Sequence, residues 1–152
     1  MNIRYHFEKS YPILISLFLI FIIIYFNLFK DKLSEFVIDL SNNAMSVSVT
    51  LFGFLLTILT LINSIETRRM KVVRDMGAFP RLMRYLKNSI ILNLIVLVLS
   101  FFVKYAINND LNSIFILKNY NLLAYSFIFI FIYSLLSSFR FTKIFIDTLT
   151  DK

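Results

Sequence analysis

Between residues 39 and 74 the chain carries a run of small, polar and charged residues spaced four, three, four, three without a break. They are Asp39, Asn43, Ser46, Thr50, Gly53, Thr57, Thr60, Ser64, Thr67, Lys71 and Arg74. That spacing puts them on one face of an α-helix. Within residues 49–62 the non-apolar positions are Thr50, Gly53, Thr57 and Thr60, and all others are Val, Leu, Phe or Ile. Chance placement reproduces a single heptad register in about 1% of arrangements. These residue types do no bond-making chemistry, but they suit two physical tasks. One is a packing seam within a four-helix chain, where Gly53 permits close approach and hydroxyls bond across helices or to their own carbonyls. The other is the wall of a pore built from several copies of the helix, with Asp39 and Asn43 at the outer mouth and Lys71 and Arg74 as rings at the inner one. Continuation of the stripe into two cations favours the pore, because a seam buried within one chain would not end in Lys71 and Arg74. Two basic rings at the inner mouth would favour anions over cations.

A second group of residues with chemical potential lies just beyond. Residues 66–87 hold seven cations, Arg68, Arg69, Lys71, Arg74, Arg81, Arg84 and Lys87, opposed by Glu66 and Asp75. Good helix formers carry the preceding helix to Met76, Gly77 stops it, and Pro80 suits the first turn of the next helix, which runs to about Ile107. A tight basic helical hairpin is therefore expected. Its charge serves as a topology signal with attraction to anionic lipid, at about 1 kcal/mol per basic residue near the surface. It also suits a cytosolic anionic ligand such as a nucleotide or oligonucleotide, or a partner protein. Five of the seven cations are arginine, whose planar fork matches phosphate, and Phe79 and Tyr85 offer rings for stacking.

The elements that must position these residues are membrane helices. Of 152 residues 59% are hydrophobic and 16% charged, against about 25% charged in soluble domains, which excludes a soluble globular protein. With 2 Gly, 2 Pro and no Cys, collagen-like, disulfide-stapled and thiolate chemistries are excluded as well. Four spans are expected, at about 11–29, 40–65, 80–107 and 119–139, forming one all-α polytopic domain over 1–152. The first carries 14 Ile, Leu or Phe between Tyr11 and Phe29, worth on the order of −4 to −8 kcal/mol of insertion energy. Its length and the absence of a small-residue cleavage site argue for an uncleaved anchor rather than a signal peptide. Four spans leave both termini on one side. Twelve Lys and Arg flank the spans on that side and four on the other, so both termini and the hairpin are expected in the cytoplasm, across a cell inner (cytoplasmic) membrane. Tyr11, Tyr25, Tyr85, Tyr105 and Tyr120 fall at the expected interfaces.

No catalytic motif is present. No G-x-S-x-G, H-E-x-x-H or glycine-rich phosphate loop occurs, so no enzyme, cofactor or metal is expected. No ionisable residue sits at mid-membrane, as a proton-coupled carrier would require. His6 reads as a solvated tail residue. Asn27 and Asn93 read as single amides that hydrogen-bond a neighbour. The run Phe127-Ile128-Phe129-Ile130-Phe131 reads as lipid-facing, and Ser134, Ser137 and Ser138 mark the side of the fourth helix that packs on protein.

Four short spans, both ends inside, the stretch Gly53-Phe54-Leu55-Leu56-Thr57 and a basic hairpin turning at Gly77-Ala78-Phe79-Pro80 together resemble small four-helix membrane effectors of prokaryotic anti-phage defence systems. The membrane subunits of Kiwa and Hailong are of this type. The resemblance covers the chain in arrangement. It implies a homo-oligomer, often a tetramer, that changes membrane permeability after a cytosolic infection signal. The leading expectation is thus a homo-oligomeric channel lined by the second helix and gated through the hairpin. A non-conducting scaffold that recruits a cytosolic protein, and a holin-like lesion former, are the alternatives.

Overall fold

The computed structural model describes residues 3–26, 33–64, 79–108 and 120–150, and all of them are helical except the turn residue Phe26. The helices are α1 (Ile3–Tyr25), α2 (Leu33–Ser64), α3 (Phe79–Asn108) and α4 (Tyr120–Thr150). Among the described residues three stretches are long and apolar enough to cross a membrane, Glu35–Ile62, Phe79–Ala106 and Asn121–Asp147. Their 27 or 28 residues reach about 40 Å at 1.5 Å per residue, more than the roughly 30 Å of a hydrocarbon core, so tilt or a protruding end is built in. The apolar part of α1, Ser10–Tyr25, is shorter. Inside α1, Pro12 withdraws one backbone donor, and Ser16 one turn on gives its hydroxyl to the Pro12 carbonyl at 2.6 Å.

Helix boundaries follow local signals where those exist. Pro80 occupies the first turn of α3 as its fixed φ and missing N–H favour. The continuation of α2 towards Met76, the turn at Gly77 and the amide Asn27 lie outside the described residues. The fourth helix does not end near Phe139. It runs on to Thr150, because residues 140–150 contain no Gly or Pro and place Phe141, Ile144 and Phe145 on one apolar face.

Packing is ordered rather than symmetric. α2 lies mainly on α3, α3 on α4, and α1 on α4, with α2 also reaching α4. Two apolar clusters form. One joins Val37 and Ala44 of α2, Val96 and Val103 of α3, and Ala124 and Phe127 of α4, with Ile20 and Ile23 of α1 against it. The other joins Leu55, Ile58 and Ile62 of α2, Leu82 and Leu86 of α3, and Phe141 of α4.

Between the clusters in chain order on α2, α3 and α4 sits a buried polar layer: Ser48, Ser89, Asn93, Ser134, Ser137 and Ser138. Asn93 donates from Nδ2 to the Ser138 hydroxyl and to the Ser89 carbonyl, both at 2.8 Å, and the Ser89 and Ser137 hydroxyls lie 3.2 Å apart. The expectations that Asn93 bonds a neighbour and that these serines face protein agree with this arrangement. The expectation for Phe127 to Phe131 needs correction. Phe127 and Ile128 are buried in the core, because five consecutive apolar residues wrap more than a full turn and some must face inward.

A thermodynamic cycle tests the layer. The pair Asn93→Ala and Ser138→Ala is expected to show a coupling of about 0.6 kcal/mol, up to about 1.7, the range for hydrogen bonds between membrane helices. Reversible unfolding in mixed micelles measures it, and additive single effects would remove the Asn93–Ser138 bond from the account.

Candidate functional site

The positions of α2 that meet the rest of the chain are Ser41, Ala44, Ser48, Leu55, Ile58 and Ile62, all buried. Adding two to each number gives Asn43, Ser46, Thr50, Thr57, Thr60 and Ser64, all exposed. Two residues along an α-helix are about 200° of rotation, so the two sets lie on opposite faces. Asp39 and Gly53 are exposed on the outer face too. All eight expected pore-lining residues thus share one face of α2, and that face points away from the bundle. The seam inside the chain is real but is made by the other heptad register, not by the stripe.

The stripe is locally satisfied. Ser46, Thr50 and Thr57 donate their hydroxyls to the carbonyls of Asn42, Ser46 and Gly53, one turn back. Thr60 and Ser64 donate to Thr57 and Leu61, three residues back. Each hydroxyl hydrogen is therefore spent on its own helix, and what faces outward is an oxygen with a free acceptor position and a methyl or methylene. At Gly53 a side chain would meet nothing within 4 Å, so the middle of the face is open.

Of the basic cluster, Arg68, Arg69, Lys71 and Arg74, with Thr67 of the stripe, lie outside the described residues. Arg81, Arg84 and Lys87 stand on the first three turns of α3 and are exposed. Tyr85, between them, is not a surface anchor or a free stacking ring. It is buried at 4% exposure beneath two guanidiniums, with Arg140 at 4.3 Å and Arg81 at 5.8 Å from its ring centre. Phe79 is likewise packed against the second cluster. The Tyr85 ring is closed to a base, and Phe79 is half-buried. Tyr25 and Tyr105 do remain exposed, as interface anchors should.

Arg140 is the residue that sequence reasoning missed as anything beyond a unit of charge. It is buried to the same degree as Tyr85 and joins α4 to α3 by a cation–π contact. Its signal was its place directly before Phe141, just past the expected span 119–139 on a helix that continues to Thr150. Comparison with known protein families, with curated proteins and with solved structures finds nothing similar to this chain.

The ring and its hydroxyl make separable contributions. The buried Tyr85 hydroxyl has no hydrogen-bond partner, so Tyr85→Phe is expected to be neutral or slightly stabilising. Tyr85→Leu keeps bulk but removes the ring from Arg140, and is expected to cost about 2 kcal/mol, the size of a desolvated cation–π contact. Thermal unfolding in detergent reads both, and equal losses in the two variants would overturn the assignment.

Proposed function

We propose that this chain is a membrane channel subunit whose copies surround a pore lined by the outer face of α2. It would reside in a cytoplasmic membrane with both termini inside, consistent with the twelve-to-four distribution of Lys and Arg. The observation that carries the reading is the opposition of the two faces of α2. One heptad register is consumed by the chain's own core, while the other, with Asp39, Asn43 and Thr50 to Thr60, is left uncovered. A polar face that long has a use if other copies of α2 meet around it. The basic hairpin at 66–87 is the gate in this reading. Mutual repulsion of its cations strains the closed arrangement, and an anionic cytosolic signal of nucleotide or oligonucleotide type relieves it. This is the behaviour implied by the resemblance to anti-phage membrane effectors.

One observation favours a second reading. Because each stripe hydroxyl is bonded to its own helix, the face costs little against lipid, as a non-conducting scaffold that recruits a cytosolic protein would need. Oligomeric state and current separate the two.

The chain has no cysteine, so an introduced thiol is unique. Thr50→Cys and Thr57→Cys are expected to cross-link between copies on oxidation, whereas Ile58→Cys, on the buried face, is not. A particle mass equal to one chain plus detergent would rule out a pore lined by copies of α2.

Planar-bilayer recording should show current that rises with added oligonucleotide, with a reversal potential in a KCl gradient on the anion side. Thr57→Phe should reduce unitary conductance several-fold, and neutralising Arg68, Arg69 and Lys71 together should abolish the response to ligand. Currents and gating unaltered by both changes would sink the assignment, and strong cation preference would remove the role given to Lys71 and Arg74.

A further inference from the structure

Pro80, Arg84, Lys87 and Ile91 follow one another at four, three and four residues and so share a face of α3. With Leu56 and Leu59 of α2, that face lines a groove of about 680 Å³ whose remaining lining is apolar. The volume falls within the roughly 300–1,000 Å³ of small-molecule sites. Among the described residues Arg84 and Lys87 are the polar groups of this lining, and no carboxylate belongs to it. They are also the last two cations before the charge-free stretch from Asn88 to Val103. They therefore stand where the hydrocarbon begins, while Ile90, Ile91 and Leu56 continue the groove towards the membrane centre.

We propose that this groove binds one anionic phospholipid, with the headgroup phosphate held by Arg84 and Lys87 and an acyl chain lying against Leu56, Leu59 and Ile91. Charge complementarity decides the occupant. An acyl chain gains little by leaving bulk lipid for a protein groove, since lipid tails are as apolar as leucine. Discrimination therefore comes from the headgroup, where two cations one helical turn apart face a phosphate and no acidic side chain stands among the described lining residues. A zwitterionic lipid carries its own cation into the same place and gains less. The groove also adjoins the stripe, because Leu56 and Leu59 each precede a stripe residue, Thr57 and Thr60. A lipid seated there would border the face of α2 at which copies are proposed to meet. The inference rests on α2 and α3 crossing a bilayer and is independent of whether the assembly conducts.

Native mass spectrometry of the full chain, released from detergent with equal phosphatidylglycerol and phosphatidylcholine, tests it. Two cations near a membrane surface correspond to a preference of about thirtyfold for the anionic lipid. In Arg84→Gln/Lys87→Gln the preference should fall close to one. It should persist in Lys104→Gln, whose cation lies towards the far end of α3. Ile91→Trp, which fills the groove at an exposed position and keeps both cations, should reduce bound phosphatidylglycerol several-fold.

Absence of preference in the unaltered chain, or preference unchanged in the double variant, would overturn the site. So would inorganic phosphate displacing phosphatidylglycerol at equal concentration, which would make this a free-anion site. Carbonate extraction of cell membranes keeps the two levels apart. A chain retained in the pellet but indifferent to phosphatidylglycerol lacks the lipid site alone, whereas a chain released by carbonate overturns the membrane reading beneath it.

Discussion

A polar side chain in hydrocarbon has to find its hydrogen bond in its own helix, across a helix contact or in a water-filled space, because lipid offers none and an unpaired group costs several kcal/mol. α2 meets this constraint in different ways on its two faces. On the inner face Ser41 bonds the Ile38 carbonyl at 2.8 Å, and across the helix contact of α3 with α4 Asn93 bonds Ser138. On the outer face Thr50, Thr57 and Thr60 return their hydroxyls to their own backbone. The polar layer at the centre of the bundle is thus a feature of the fold, and the outer stripe is a surplus that the fold of one chain does not use. The functional reading depends on that surplus.

The same constraint explains what was legible in the sequence and what was not. Three long apolar helices, the Pro80 start of α3 and the stripe's helical periodicity are all local properties, set by residue spacing and backbone chemistry, whereas the first of the four expected spans meets a helix whose apolar part, Ser10–Tyr25, is shorter than the other three. Which side of α2 turns inward is not local. Ser41 and Ser48 are as small and as hydroxylated as Ser46 and Thr50, so composition does not rank the two heptads, and only the shapes of α3 and α4 do. Phe127 and Ile128 were misread for a related reason. An unbroken apolar run has no periodicity, so its inward side is chosen by neighbours such as Val96 and Ala124.

Tyr85 and Arg140 show the limit more sharply. A tyrosine near a span boundary commonly anchors to the interface, and an arginine just past a span commonly marks the cytoplasmic side. Here they meet each other. The continuation of α4 beyond Phe139 brings Arg140 over the Tyr85 ring and inserts Phe141, fully buried, between the ends of α2 and α3. A charge that serves topology in the sequence serves packing in the structure, and a ring expected to offer a stacking face is already occupied.

This clamp constrains how any cytosolic signal could act. If α2 and α3 tilted alone in response to the hairpin, Phe141 would have to leave the cluster it shares with Leu55, Ile58 and Leu86, and Arg140 would have to leave its ring. Opening a buried aromatic site of this kind costs about 3–5 kcal/mol, judged from truncation of such residues. Arg81, Arg84 and Lys87 are exposed, and interactions between exposed charges contribute about 1 kcal/mol or less each, so neutralising them barely covers it. Movement of α2, α3 and α4 as one body breaks none of these contacts. The softer joints are then those outside the clamp: the contact of α1 with α4, and the uncovered face of α2 where copies of the chain would meet. A change in how whole three-helix units stand around the Thr50 to Thr60 face fits the packing better than a hinge within one of them.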